Sequence, residues 1–494
     1  SEELSDIWGY VDEDGTEYAL VGVYNGFSVV DVSDPANPVE VYFKSGAGSI
    51  WRDIKTWGDY AYVSNESYGG VLIVDLSGLP GEISNTAEFT GSTYPFSSAH
   101  NLYIDETGKL YIFGADSGSG GAIICDLTED PMNPTELGRF NDYYLHDGMA
   151  RGDTLWGAAI YYGVLAAIDV SNPANPQVMG TVSTPGQFTH NAWVSDDGTH
   201  VFTTDEVENG YIAAYNVTDL GNITETDRIQ SSPGDLVIPH NVHVYNDFLV
   251  TSYYTDGITV HDASNPENLI LVGHYDTSPN YSGGGFNGSW GTYPFLPSGN
   301  ILASDIEEGL YILGVDYIRA AYVEGTVNDS TTGDPLFNVD VEVLDTDLAD
   351  QTAFDGTFRF ATTLTGTYDI KFSKDFYSDY IAHDVEFVSG QVTELEIKMQ
   401  NAFVTSIPED QEKKLMQLYP NPFESDFTIR INSEENQGSM ELQVFNLMGE
   451  VVGKIPAIVP GDEVRLGRSY APGIYFINIT DGKALNETRR IVKK

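Results

Sequence analysis

Gly26-Phe-Ser-Val-Val-Asp-Val-Ser-Asp-Pro-Ala-Asn-Pro38 decides the reading of this chain, because it returns almost unchanged as Gly163-Val-Leu-Ala-Ala-Ile-Asp-Val-Ser-Asn-Pro-Ala-Asn-Pro176. Each copy is a glycine, an apolar run ending on Asp, and a Ser/Pro/Asn turn, the pattern of a strand followed by a tight connection. Looser copies begin at Gly70, Gly121, Gly210 and Gly257, with a truncated one at Gly309, at spacings of 44, 51, 42, 47, 47 and 52 residues. That period suits one four-stranded blade. The half repeat before each glycine supplies two more strands around a hairpin turn, as in Asn101–Ile104, Asp105-Glu-Thr-Gly108 and Leu110–Phe113. Four antiparallel strands per repeat close radially more naturally than they stack as a solenoid. Seven repeats therefore predict an all-β chain with a seven-bladed β-propeller over residues 1–320. The Asp-rich hairpin turns (Asp12-Glu-Asp-Gly15, Asp196-Asp-Gly198) read as turn chemistry rather than calcium loops.

Composition narrows the partners. A formal charge of −51 over 494 residues repels a phosphate backbone, which argues against nucleic acid or an anionic membrane as ligand. It fits a solvated acidic shell, divalent cations, or cationic and neutral ligands. The lone Cys125 follows Ile123 and Ile124, so a buried small hydrophobe is expected there and no disulfide framework is available. No stretch reaches the ~18 apolar residues of a membrane-spanning helix. The chain opens at Ser1 without a visible signal peptide, which reads as a processed or trimmed form whose export signal is missing.

Aligning the repeats on their glycine exposes one column, 17 to 21 residues upstream, that reads Trp8, Trp51, His100, His146, His190, His240, Trp290. It holds four of the nine histidines, at the expected start of each innermost strand, and Asp147 follows His146. The second strands end near Asn65-Glu66, Asp116, Asp205-Glu206 and Asp305, on the same face of a propeller. A histidine arc and a carboxylate arc can thus line one mouth of the channel. The candidate ligand or metal residues are His100, His146, His190, His240, Asp116, Asp147, Asp205 and Asp305. Neutral imidazoles with carboxylates suit Zn²⁺ or another transition metal, and carboxylates with carbonyls suit Ca²⁺. A repeated histidine equally serves to tie a strand to the neighbouring blade, and tryptophan in the same column favours packing. No catalytic residue stands out: there is no Gly-x-Ser-x-Gly elbow, phosphate loop or exposed cysteine nucleophile.

The repeat forms Val29-Val-Asp-Val-Ser-Asp-Pro and Leu72-Ile-Val-Asp-Leu-Ser resemble the LVIVD-repeat proteins of bacteria. The opening Ile7-Trp-Gly-Tyr-Val-Asp is similar to the choice-of-anchor B subgroup, a surface or secreted propeller family without an assigned chemistry. From 321 to 400, Val323-Glu-Gly-Thr-Val, Thr352-Ala-Phe-Asp-Gly-Thr-Phe and Gly366-Thr-Tyr-Asp-Ile alternate as short strands of a small β-sandwich. This stretch resembles the non-catalytic, prealbumin-like carboxypeptidase regulatory-like domain, read here as a spacer or brace. A polar linker at 401–417 follows. The last segment, 418–494, is near neutral: residues 415–494 carry ten acidic and nine basic side chains. Its Tyr419-Pro420-Asn421-Pro422, its Pro472-Gly473-Ile-Tyr475 and the terminal strand with Lys493 resemble the type A sorting domain of the type IX secretion system of Bacteroidota. That resemblance implies engagement of the secretion machinery, passage to the cell surface, removal of the domain by a cut within the linker, and attachment of the remainder to lipopolysaccharide. The function expected first is a non-enzymatic surface module binding a glycan, protein or small ligand at the propeller mouth. A metal-dependent hydrolase or lyase using the histidine and aspartate arcs is the second reading, and a purely structural surface component the third.

Overall fold

The computed structural model describes residues 3–402, 416–432, 439–481 and 486–494. The predicted linker cut therefore lies largely outside the described residues. The chain is all-β and divides into two units, Ser1–Ala320 and Ala321–Lys494.

In the first unit seven antiparallel sheets follow one another, six of four strands and one of three among the described residues. The first comprises Leu4–Val11, Glu17–Val23, Gly26–Asp31 and Val39–Ser45; the seventh comprises Ser289–Tyr293, Ile301–Asp305 and Gly309–Leu313. Each sheet is built from consecutive strands, so among the described residues no sheet borrows a strand from the other end of the chain. The first strand instead packs against the last sheet, where Leu4 N donates to Ile306 O at 3.2 Å. A ring of sheets closed in this way is a β-propeller.

The repeat motif has a local physical cause. Its Asp ends the third strand and accepts the backbone N–H two residues on: Asp31 from Ser33 at 2.9 Å, Asp126 from Thr128 at 2.7 Å and Asp169 from Ser171 at 2.9 Å. The residue between then donates back to the hairpin turn of its own sheet, as Val32 N does to Glu17 O and Val170 N to Asp153 O, both at 2.9 Å. The hairpin aspartates are likewise spent on their turns. Asp12 accepts from Asp14 N, Thr16 N and Tyr18 Oη, and Asp105 from Thr107 N, Lys109 N and Tyr111 Oη. Gly15 and Gly108 take φ of +85° and +84° in those turns, where a Cβ is strained. Cys125 is fully buried among apolar side chains, and burial pushes its thiol pKa up.

In the second unit, Ala321–Asp329 pairs antiparallel with Thr357–Thr362 and parallel with Val392–Met399, facing a four-stranded sheet. Their alternating inward residues, including Val323, Val341, Phe358 and Phe372, form one core. Farther on, a three-stranded and a four-stranded sheet enclose a second core around Phe427, Ile429, Leu442 and Ile477. Asn421 joins the first turn there to the final strand, donating to Arg490 O at 2.9 Å and accepting from Val492 N at 3.0 Å. Lys493 Nζ closes the 467–470 turn through the carbonyls of Gly467, Arg468 and Tyr470. Tyr475 Oη donates to Ala471 O at 2.8 Å. No helix among the described residues is long and apolar enough to cross a membrane.

Candidate functional site

The innermost strands carry three layers of side chains into the channel. Their register follows from hydrogen bonds passed from sheet to sheet. His190 Nδ1–H donates to His240 O at 3.2 Å, and His240 Nδ1–H donates to Trp290 O at 2.5 Å. One residue deeper, Asn191 Oδ1 accepts Val242 N and Asp53 Oδ2 accepts Leu102 N, both at 3.1 Å. Asp53 is thus the counterpart of Asn191, and Arg52 the counterpart of His190.

This register keeps Trp290 in the sequence column, as the residue whose carbonyl accepts His240, and corrects the other two tryptophans. Trp51 lies one residue too early and sits half exposed at the mouth. Trp8 lies deeper still, with its ring 4.8 Å from Tyr293 and 6.0 Å from His243. The four histidines do come together. Successive ring centroids lie 4.0 Å apart for His100–His146, 4.2 Å for His146–His190 and 4.4 Å for His190–His240. His190 and Trp290 each occupy the extra residue of a β-bulge, which turns the side chain toward the channel.

Burial dominates the electrostatics here. His146 and His190 are held well below the ordinary imidazole range by desolvation and by the neighbouring histidines, and His240 is lowered to about 3. All three are neutral at physiological pH. A carbonyl cannot donate, so the proton of His190 and of His240 sits on Nδ1, leaving the Nε2 lone pair bare. Those lone pairs face one carboxylate: His190 Nε2 is 3.7 Å from Glu206 Oε2, and His240 Nε2 is 3.9 Å from Glu206 Oε1. His146, His190 and Glu206 each bring a ligand atom within 4.8 Å of the others. His146 Nδ1 is buried toward the His190 backbone without a hydrogen bond of normal geometry. Burial pushes the Glu206 carboxyl up to about 7, against the Tyr254 Oη–H that donates to it at 2.6 Å. His100 stands beside this group, with Nδ1–H donating to Glu66 Oε1 at 3.2 Å.

The remaining predicted carboxylates lie elsewhere. Asp116 braces a loop through Ser97 N, Ser97 Oγ and Ser98 N. Asp205 accepts from Thr184 Oγ1, Gly186 N and Phe188 N, and Asp305 from Thr277 Oγ1, Glu307 N and Glu308 N. All three fasten mouth loops rather than face the histidines. Asp147 is buried beneath the arc, accepts from Asn191 Nδ2 at 2.6 Å, and is raised to about 6 by desolvation and Asp53. The carboxylates that do face the imidazoles, Glu206 and Glu66, follow strand ends by one residue or more. Side-chain alternation turns Asp205 and Glu206 to opposite sides, and it does not say which of the two faces the channel.

Below the arc, Lys55 Nζ lies 2.8 Å from Asp53 and 3.8 Å from Asp6, all buried. Asp6 and Asp53 line a cavity of about 20 Å³ together with the four histidines, Asn101 and Asn241. Deeper again, Trp8, Tyr103, Trp193, His243 and Phe295 pack ring against ring and close the channel. The histidine arc and Glu206 form a cup on the other side of the belt of Lys55, Asp53 and Asp6 from this plug.

Family models match three parts of the chain. The LVIVD repeat matches residues 16–43, 48–86, 160–184 and 239–277. The carboxypeptidase regulatory-like domain matches 322–400, and the secretion system C-terminal sorting domain matches 417–494. No curated protein matches. Similar solved structures include the β-propeller domain of Myceliophteria thermophila Cps50 (Swd1), 12% identical with TM-score 0.47 over 64% of this chain and 98% of that one. The Dos1 propeller is 12% identical with TM-score 0.44, over 63% of this chain and 77% of that one. A putative 6-phosphogluconolactonase from Bacteroides fragilis NCTC 9343 is 15% identical with TM-score 0.41, over 54% and 82%. The chain carries LVIVD repeats and a type IX sorting domain, whose address is the cell surface or the extracellular space.

Proposed function

We propose that this exported propeller protein is a surface metal-binding module, holding one transition-metal ion of the Zn²⁺ class at the base of its mouth. The observation that carries the reading is the convergence of neutral imidazoles on one carboxylate: His146, His190 and Glu206, with His240 on the second carboxylate oxygen. Ligand bonds of about 2.0–2.2 Å to a tetrahedral ion place neighbouring ligand atoms roughly 3.4 Å apart. The separations of 3.7 and 3.9 Å need only a small contraction, and His146, whose ligand atom lies within 4.8 Å of the others, closes the larger gap. The Nδ1–H bonds to the next sheet's carbonyl are the outer-shell pattern that fixes a metal-ligating imidazole. Tying the blades together and presenting Nε2 are thus two uses of one ring. With His146, His190 and Glu206 as its protein ligands, a tetrahedral ion keeps one position for an incoming ligand.

Loading the full chain with Zn²⁺ and measuring metal by elemental analysis should return one ion per chain. His190→Ala and the isosteric Glu206→Gln should each weaken it at least a hundredfold against a competing chelator, with the folded circular-dichroism spectrum unchanged. Equal metal retention by wild type and both variants would sink the reading. Removal of the sorting domain through the 401–417 segment, followed by attachment to lipopolysaccharide, completes the proposal. Mass spectrometry of the surface form should find a new C-terminus in that segment, and an intact Lys494 would refute it.

A further inference from the structure

The loops around the mouth carry a second feature, separate from the histidine cup. They are the segments joining the second and third strands of each sheet and those leading from one sheet to the next. Seven large aromatic side chains on them are exposed: Tyr24 48%, Trp51 43%, Tyr68 65%, Tyr161 72%, Tyr162 58%, Tyr281 40% and Phe286 58%. Such side chains are normally buried, and a cluster of them on one rim marks a contact surface. Several are braced rather than loose, with Tyr161 4.9 Å from Tyr144, Tyr162 5.0 Å from Tyr143 and Phe286 5.3 Å from Tyr254, centroid to centroid. Rigid rings of this kind lose little freedom on binding.

The charge on the same loops selects the partner. They contain eleven Asp and Glu and a single Lys or Arg, Arg52. That guanidinium is spent within the fold: Nε donates to Val23 O at 2.9 Å, and Nη2 to Tyr24 O and Ala47 O. Two strand arginines reach these loops, Arg139 over the Tyr94 ring and Arg228 over that of Tyr211, and both are stacked on the rings they meet. A cationic side chain gains both the field of the carboxylates and the negative faces of the rings. We propose that the mouth rim docks a basic peptide segment of another protein, with Lys and Arg side chains stacked on the exposed rings between the carboxylates. This surface stands whether or not an ion fills the cup.

Because the whole chain is strongly acidic, attraction alone is no test; dependence on the rings is. A twelve-residue Lys/Arg-rich peptide should be titrated into the full chain by calorimetry at physiological salt, beside the double variant Tyr161→Ala/Tyr162→Ala and the single variant Phe286→Ser. Replacing these exposed side chains leaves the core intact. The double variant is expected to weaken the peptide at least tenfold, and Phe286→Ser about threefold. The back-turn control Glu13→Gln/Asp14→Asn should change it less than twofold. Equal peptide binding by the double variant and wild type would overturn the proposal, leaving only unspecific charge. So would tighter, ring-dependent binding of a neutral polysaccharide such as dextran, which would make the rim a sugar surface.

Discussion

The two faces of the propeller are made by the same repeat and differ in one property. The mouth loops contain fifteen aromatic residues, whereas the turns of the opposite face contain one, Phe295, which packs into the channel plug. Acidic residues crowd both faces, so charge does not tell them apart. On the back face the carboxylates are consumed by turns, as Asp12, Asp105 and Asp126 show. That face is spent on making the fold. The channel repeats the contrast along its axis: neutral imidazoles with bare nitrogens at the open end, and a closed packing of rings beneath. The open-end imidazoles tie sheet to sheet through Nδ1 and still keep Nε2 bare, whereas the rings beneath are wholly taken up in packing.

If that division is correct, the largest stability effect belongs to the plug. Trp193 is buried, with its ring 4.5 Å from His243 and 5.9 Å from both Tyr103 and Phe295. Trp193→Ala should cost about 3–5 kcal/mol in the unfolding of the propeller. Its affinity for Zn²⁺, measured on the protein that remains folded, should stay within about threefold of wild type. A hundredfold loss of metal would break the distinction between the two ends.

The plug also makes the fold acid-sensitive in a way that can be isolated. Burial lowers His243 from 6.5 to about 3. Below pH 6.5 the unfolded chain takes a proton that the folded ring refuses, so stability is lost as pH falls from 6.5 toward 3. At pH 5 this histidine alone costs about 2 kcal/mol relative to pH 7. His243→Phe should remove that portion of the loss, read as a smaller shift in the urea midpoint between pH 7 and pH 5. Identical shifts in variant and wild type would show that the ring is charged or hydrated when folded.

The repeat was readable because its motif is local: a strand-ending Asp that accepts an N–H two residues on leaves the same spelling in each copy. The histidine arc was readable for the same reason, four like residues at one offset. Trp8 and Trp51 misled because the offset was counted back from a glycine across hairpins of unequal length. The true register is set by bonds between sheets, such as Asp53 to Leu102, which no single repeat displays. Asp205 was preferred to Glu206 because both stand at the strand end. Only the bulge at His190 and the loop wrapped around Asp205 decide which carboxylate turns inward. The aromatic rim escaped notice because its members lie on loops of different length with no shared spacing.

A finer division runs within the open end, between ligands and what holds them. Tyr254 is buried and donates to Glu206 Oε1 at 2.6 Å without reaching the imidazoles' bare nitrogens. Outer-shell bonds of this kind typically change metal affinity about 10–100-fold. Tyr254→Phe should therefore weaken Zn²⁺ about tenfold, near 1.4 kcal/mol, with one ion per chain retained at saturation. Loss of all metal would place the hydroxyl among the ligands instead.

The smallest effect expected is the one that defines the edge of the site. Glu66 pairs with His100 as Glu206 faces His190, and sequence alone makes the two pairs equivalent. The structure does not: the Glu66 side chain is about one-third exposed, whereas that of Glu206 is 15% exposed. Hydrogen bonding to His100 lowers the Glu66 carboxyl, while burial raises that of Glu206. An exposed pair of this kind contributes about 0–1 kcal/mol to the fold. Because His100 Nδ1–H already donates to Glu66, the pair offers an ion no bare nitrogen on that side. Glu66→Gln keeps the acceptor oxygen and should leave Zn²⁺ affinity within about threefold of wild type. A tenfold loss in the chelator competition would move the ion one sheet round the channel, onto His100 and His146.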